Sequence, residues 1–147
     1  HLELEILETA ALQNIEQVSD IMKRCQELGV SFALDDFGTG YSSLSYLHQF
    51  PLDILKIDRS FVNRIQEGND SAKIVQTIIV LAKNLNLTTV AEGIETAEQL
   101  SYLRDIDCQY GQGYLFSKPL SCEAAEQLIA QTDKVTLASE AYALCFK

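Results

Sequence analysis

The segment SFALDDFGTGYSSL, Ser31–Leu44, decides the fold of this chain. Its opening residues, Ser31–Leu34, predict a strand that runs into two adjacent carboxylates, Asp35 and Asp36, and then into a loop with two glycines. A short helix, Ser42–Gln49, is predicted to follow, because serine is a good N-cap residue. Strand alternation predicts that the two aspartates point to opposite sides of the strand.

Adjacent carboxylates repel each other and are costly to desolvate unless a cation or several hydrogen-bond donors compensate them. By itself, the Asp-Asp pair is more simply explained as an acidic loop in front of a capped helix. The positions of the other polar residues along the chain favour a cation site instead.

Strands and helices alternate about five times in this sequence. The predicted strands are Leu2–Leu7, Ser31–Leu34, Ile54–Ile57, Thr88–Ala91 and a short one within Tyr110–Tyr114. Apolar residues at helical spacing predict helices between them, and Thr96 and Gln99 have the spacing of a capping box. Such alternation predicts an α/β fold with a parallel sheet, either open or closed into a barrel.

Polar residues fall at or near the ends of these strands. They are Glu5, Glu8, Asp35, Asp36, Lys56, Glu92 and Gln112. The carboxyl ends of parallel strands meet at one rim, where α/β proteins keep their functional sites. A lysine inside the apolar segment ILKI is costly unless acids face it, although it could also extend its amine to the surface.

The ligand chemistry of this rim favours Mg²⁺ or Mn²⁺. The chain offers oxygen ligands, while its two histidines and four cysteines are scattered, so zinc is disfavoured. A carboxylate-rich rim with a lysine suits two-metal hydrolysis of a phosphate ester. From spacing alone, an unrelated Mg²⁺-dependent phosphatase remains open.

Composition limits the classes of function. The chain has 147 residues, enough for one domain, and a net charge of −10, which argues against binding to a DNA or RNA polymer. No apolar run is long enough for a membrane span, and the four cysteines form no C-x-x-C pair. We therefore expect reduced thiols and a cytoplasmic protein, although a longer parent chain with a membrane anchor remains compatible with these residues.

Five motifs carry a family resemblance. They are LEILE (Leu4–Glu8), DDFGTGYSSL (Asp35–Leu44), DILKIDRSFV (Asp53–Val62), VAEGIET (Val90–Thr96) and YGQGYLFSKPL (Tyr110–Leu120). In order and spacing they resemble the EAL-domain cyclic-di-GMP phosphodiesterases of bacteria. The resemblance implies a TIM-like (β/α)8 barrel and the hydrolysis of cyclic di-GMP to linear pGpG with two Mg²⁺ or Mn²⁺ ions.

The resemblance also implies roles for individual residues. The implied metal ligands are Glu5, Asp35, Asp36 and Glu92, and the implied catalytic residues are Lys56, Glu92 and Gln112. Lys56 resembles the lysine that contacts the nucleophilic water. Glu8 resembles a glutamate that anchors the loop Phe37–Ser42, which the family links to dimerisation and metal occupancy.

The sequence departs from the family pattern at its start. The name-giving Glu-Ala-Leu, an asparagine ligand and a substrate-binding arginine lie upstream of the first motif found here. We therefore expect a partial TIM-like (β/α)8 barrel, with about five of the eight strand-helix units. Residues 1–131 would be the C-terminal portion of an EAL domain, and residues 132–147 a helix or tail packed on it.

Two functional hypotheses follow. In the first, the parent domain is a cyclic-di-GMP phosphodiesterase, and this chain alone has little or no activity and forms a homodimer or a strand-swapped assembly, because open strand edges invite association. In the alternative, it is a degenerate EAL module that binds cyclic di-GMP or a protein partner without catalysis. Retention of the acidic residues favours the enzyme. Sensory or GGDEF domains elsewhere in the parent chain are compatible with either hypothesis.

Overall fold

The computed structural model describes residues 2–7, 14–38, 47–65 and 69–132. Glu8, most of the predicted helix Ser42–Gln49, most of the loop Phe37–Ser42 and the predicted tail beyond residue 132 lie outside these residues. The strands are β1 (Leu2–Leu7), β2 (Val30–Phe37), β3 (Ile54–Ile57), β4 (Thr88–Ala91) and β5 (Tyr110–Gly111). The helices are α1 (Ile15–Gln26), α2 (Arg59–Val62), α3 (Asn69–Asn84), α4 (Ala97–Asp105) and α5 (Cys122–Thr132).

The five strands form one sheet in the order β1-β2-β3-β4-β5, and every neighbouring pair is parallel. All five strands therefore end at the same rim, as the alternation of strands and helices predicted. Among the described residues, β1 and β5 are the edges of this sheet. The α/β prediction with about five strand-helix units is confirmed.

Helices cover one face of the sheet and form the main core with it. Strand residues such as Leu34, Leu55 and Ile57 are fully buried there, together with Val75 of α3 and Leu103 of α4. A smaller cluster of Met22, Phe32 and Phe50 lies under α1. Burial of these side chains is the main stabilising contribution to the sheet.

Strand β2 is longer than predicted, and it contains an irregularity at the paired aspartates. Leu34 pairs with Leu55, whereas Phe37 pairs with Ile57, so β2 has one extra residue opposite Lys56. Asp36 takes a left-handed backbone with φ of 54°, which aspartate tolerates better than most residues. This is a β-bulge, a feature that often lies beside active sites and redirects side chains.

The bulge overturns the expectation that Asp35 and Asp36 point to opposite sides of the strand. One carboxylate oxygen of each lies within 4.8 Å of the other and of an oxygen of Glu92. The reversed backbone at Asp36 breaks the alternation on which that expectation depended. Both carboxylates therefore reach the same rim.

The start of β3 is fixed by the side chain of Asp53. Its Oδ2 atom accepts hydrogen bonds from the backbone N–H of Phe32, at 2.9 Å, and from Gln26 Nε2, at 3.2 Å. These bonds set the register between β2 and β3 and thereby the height of Lys56 along the sheet.

None of the described helices combines the length and the apolar character needed to span a membrane.

Candidate active site at the carboxyl ends of the strands

Lys56 lies at the centre of an acidic cluster. Its Nζ atom is 2.6 Å from Glu5 Oε1, 3.0 Å from Asp35 Oδ1 and 2.7 Å from Glu92 Oε1. The ammonium has three N–H donors, so each can be directed at one carboxylate. Lys56 is only 6% exposed, and the alternative in which its amine extends into solvent is wrong.

The carboxylates keep this buried lysine charged. Burial alone would lower the pKa of Lys56, but its ion pairs with the carboxylates of Glu5, Glu92 and Asp35 outweigh this effect and hold the pKa above its ordinary value. The pKa of Glu92 is raised, because burial of its carboxyl group outweighs the attraction of the Lys56 ammonium. The cluster thus joins a firmly charged lysine to a carboxylate that takes up a proton more readily than usual.

Three carboxylates of the cluster could hold a divalent cation together. Asp35, Asp36 and Glu92 are all half-buried, and each offers an oxygen within 4.8 Å of the others. Of the side-chain atoms that the structure describes, Asp35 Oδ1 is the one that is buried without a hydrogen-bond partner, although the Lys56 ammonium is 3.0 Å away. An enclosed oxygen with spare acceptor capacity, in an all-oxygen donor set, fits Mg²⁺ or Mn²⁺.

Electrostatic repulsion between carboxylates also favours a cation beside Asp36. The pKa of Asp36 is raised, first by partial burial and then by the neighbouring charges of Asp35 and Asp58. Lys56 and Arg59 oppose this shift but do not cancel it. A cation held between these carboxylates would relieve the repulsion.

Gln112 completes the rim at the end of β5. Its Nε2 atom donates to Glu92 Oε1 at 2.8 Å, so this one oxygen accepts from both Gln112 and Lys56. Its backbone N–H donates to Ala91 O at 2.8 Å, and its carbonyl accepts from Ile94 N at 3.0 Å. Gln112 is therefore held by main-chain bonds on both sides while its side chain orients Glu92.

Gly113 allows the close approach of this segment to the loop after β4. A Cβ atom at Gly113 would lie 2.2 Å from both the backbone nitrogen and the backbone oxygen of Ile94. A Cβ atom at Gly93, whose φ is 70°, would lie 2.6 Å from the Cβ atom of Arg59. Only glycine fits these two places, which explains two of the glycines in the motifs VAEGIET and YGQGYLFSKPL.

An open cleft of about 380 Å³ adjoins Glu92 and Gln112. Its other walls include Arg59, Glu95, Tyr114 and Lys118. Lys118 Nζ lies 5.8 Å from the centre of the Tyr114 ring, within the range of a cation–π contact. Two basic side chains beside an acidic rim, in a chain with a net charge of −10, favour an anionic ligand.

Six of the seven predicted site residues meet at this rim. They are Glu5, Asp35, Asp36, Lys56, Glu92 and Gln112. Glu5 joins the cluster through Lys56 rather than through the group of three carboxylates, and Glu8 lies outside the described residues. The cleft residues Arg59 and Lys118 were not among the predicted site residues, although their basic charge within the motifs DILKIDRSFV and YGQGYLFSKPL could have indicated them.

Comparison with known proteins identifies the family of this chain. Residues 1–119 match the model of the EAL domain family. The cyclic di-GMP phosphodiesterase NbdA of Pseudomonas aeruginosa is 51% identical over 128 residues, which are 87% of this chain and 16% of that protein. The bifunctional diguanylate cyclase/cyclic di-GMP phosphodiesterase MucR of the same organism is 43% identical over 130 residues, which are 88% of this chain and 18% of that protein.

Solved structures give the same result. A structure of the MucR phosphodiesterase in complex with c-di-GMP superposes with a TM-score of 0.80 and 42% identity, and covers 85% of this chain and 51% of that one. A manganese and cyclic di-GMP complex of Klebsiella pneumoniae BlrP1 gives a TM-score of 0.74 at 35% identity, and covers 80% of this chain and 30% of that one. The chain thus spans about half the length of the MucR structure and less than a fifth of the two curated relatives. This chain belongs to the EAL domain family, with a TIM-barrel-like α/β fold.

Proposed function

We propose that this chain is part of a phosphodiesterase domain that hydrolyses cyclic di-GMP to linear pGpG. One observation carries the proposal, namely the charged Lys56 enclosed by Glu5, Asp35 and Glu92 beside a group of carboxylates that fits a divalent cation. The names of NbdA and of the MucR and BlrP1 complexes support the choice of substrate.

The proposed metal ligands are Asp35, Asp36 and Glu92, together with Glu5, and the proposed cations are Mg²⁺ or Mn²⁺. When bound, two such cations polarise the phosphate and lower the pKa of water. The BlrP1 complexes with manganese and with calcium support a divalent cation in this family. The choice of Mg²⁺ depends on the all-oxygen donor set.

The residues of the chain then orient water and receive its proton. A bond forms from the water oxygen to phosphorus, and the bond from phosphorus to a ribose 3′ oxygen breaks. For Lys56 to donate to the water, one of its three carboxylate partners must release it. Glu5 is the least restrained of them, since its side chain is 51% exposed, against 17% for Asp35 and Glu92.

Glu92 is the residue proposed to accept the proton of the water. Gln112 holds its carboxylate in place through the bond of 2.8 Å, which positions Glu92 for that transfer. The leaving 3′ oxygen takes a proton from solvent. Arg59 and Lys118 line the adjoining cleft, where an anionic nucleotide would find both basic side chains.

Further proposals concern assembly and location. Homodimer formation or strand exchange is supported by the sheet edges β1 and β5 and by the exposed side chains of Leu2, Leu4 and Leu7 on β1. The bifunctional name of MucR supports a diguanylate cyclase or another sensory domain in the same protein. A cytoplasmic location is supported by free thiols at Cys25, Cys108 and Cys122.

Turnover of cyclic di-GMP to pGpG tests the proposal in the full-length protein that carries this chain. We expect hydrolysis that needs Mg²⁺ or Mn²⁺ and falls by about 10²-fold or more in Glu92→Gln, the size of a lost general base. The exposed Glu16→Gln on α1 is the matched control and should keep full activity. The chain of 147 residues alone should show little or no turnover. Tight nucleotide binding without hydrolysis in the full-length protein would favour the degenerate binding module.

A further inference from the structure

A buried glutamine joins two elements that contribute residues to the cleft. Gln99 is 4% exposed, and its Oε1 atom accepts hydrogen bonds from Glu95 N at 2.7 Å and from Thr96 N at 3.0 Å. Its Nε2 atom donates to Val62 O at 3.4 Å. Thus one amide group contacts both the loop after β4 and helix α2.

The bridge goes beyond ordinary helix capping. From the side chain of Gln99, a capping box needs only the bond with Thr96 N, and a glutamate would make that bond equally well. The shorter bond, from Glu95 N, lies outside that motif, and only an amide can also donate to Val62 O.

The two elements that Gln99 joins both contribute to the cleft. Arg59, the first residue of α2, and Glu95, in the loop after β4, both line it. The loop that contains Glu95 begins at Glu92, whose carboxylate belongs to the acidic cluster. Movement of this loop relative to α2 would therefore alter the spacing between the cleft walls and the position of Glu92.

We propose that Gln99 is a positioning residue that fixes the spacing of the cleft and thereby its affinity for the nucleotide, an inference that rests on the proposed function. Gln99 touches no ligand itself and acts through Glu95 and Arg59. Two variants separate the bridge from the cap. Gln99→Glu keeps the acceptor for Glu95 N and Thr96 N but replaces the donor to Val62 with a carboxylate, while Thr96→Ala weakens the cap and leaves the amide bridge intact.

The first measurement is the dissociation constant for cyclic di-GMP with Ca²⁺, the cation of one BlrP1 complex, compared with the melting temperature of each variant. We expect Gln99→Glu to bind about tenfold more weakly, the effect of one lost hydrogen bond to a buried group. Thr96→Ala should keep wild-type affinity despite a lower melting temperature. Wild-type affinity in Gln99→Glu, or an equal loss in Thr96→Ala, would overturn the proposal.

The second measurement is amide hydrogen exchange, which needs no ligand. In Gln99→Met, a substitution of similar size, exchange at Glu95 N should rise at least about tenfold, because its acceptor is gone. In Thr96→Ala it should stay unchanged. If the full-length wild-type protein binds no nucleotide, the proposed function fails, and the exchange result still decides whether Gln99 holds the loop. Unchanged exchange at Glu95 in Gln99→Met would refute the bridge.

Discussion

Replacement of Lys56 by methionine tests the electrostatics of the rim. The change removes the ammonium that lies 2.6–3.0 Å from three carboxylates and substitutes an apolar side chain of similar length. Asp35 and Glu92, each with a side chain only 17% exposed, are then left as partly buried charges without their counter-ion. We expect a large loss of stability when no divalent cation is present.

The size of this loss follows from the burial of each partner. Removing one member of a buried ion pair costs about 3–5 kcal/mol, since the remaining charge stays desolvated. The Glu5 pair adds less than about 1 kcal/mol, because the carboxylate of Glu5 is 51% exposed. A domain is stable by about 5–15 kcal/mol, so the variant should lose a large part of its free energy of unfolding. The melting temperature should fall by roughly 10 °C or more.

Urea unfolding of Lys56→Met at pH 7 in EDTA, compared with unfolding in Mn²⁺, measures the effect. We expect Mn²⁺ to stabilise the variant more than the wild type, because the cation supplies the positive charge that the variant lacks. Lys73→Met is the matched control, because Lys73 lies 3.5 Å from Asp70 in a solvent-exposed pair, and this substitution should cost less than about 0.5 kcal/mol. A loss below about 1 kcal/mol in Lys56→Met would refute the electrostatic reasoning.

Three further predictions concern single positions. Gly113→Ala should lower the free energy of unfolding by about 3 kcal/mol, measured by thermal unfolding, because the added Cβ would clash with the backbone of Ile94. Gly29→Ala should cost about 1–2 kcal/mol, because the space around Gly29 is open and only its φ of 85° opposes the substitution. Equal losses in the two variants would contradict this prediction. Asp36→Asn keeps the left-handed backbone but weakens the cation site. At a Mn²⁺ concentration 100-fold above the wild-type Kd, a tenfold weaker site gives a stabilisation about 1.3 kcal/mol smaller. An unchanged Mn²⁺ effect would exclude Asp36 as a ligand. Burial raises the pKa of the Cys108 thiol, so the free energy of unfolding should fall as pH rises above the pKa of this thiol in the unfolded chain, near 9. Iodoacetamide should label the exposed Cys122 at least about 100-fold faster than the buried Cys108. Equal labelling rates in the folded chain would contradict the last prediction.

Local features of the fold were predictable because they depend on neighbouring residues. The apolar runs at Ile54–Ile57 and Thr88–Ala91 form β3 and β4 with the predicted bounds. The spacing of Thr96 and Gln99 gave the capping box that the structure contains. These signals need only the period of the side chains and the chemistry of a helix end.

The convergence of Asp35 and Asp36 was not predictable from alternation. The bulge arises because β2 has one more residue than β3 between their paired positions, a property of the assembled sheet rather than of either strand. The cleft was missed for a similar reason. Arg59 and Lys118 are far apart in sequence and become neighbours only where the segment after β5 passes the start of α2.

Charge balance supports the proposal that cations bind at this rim. Glu5, Asp35, Asp36 and Glu92 carry four formal negative charges against the single positive charge of Lys56, which leaves −3 at the place where a phosphodiester would bind. One divalent cation reduces this to −1, which still repels an anion. Two divalent cations make the rim positive, so electrostatics favours a two-cation site independently of any family precedent. Asp35 and Glu92 belong both to the Lys56 ion pairs and to the group of three carboxylates, so the ammonium already holds them close together before cations bind.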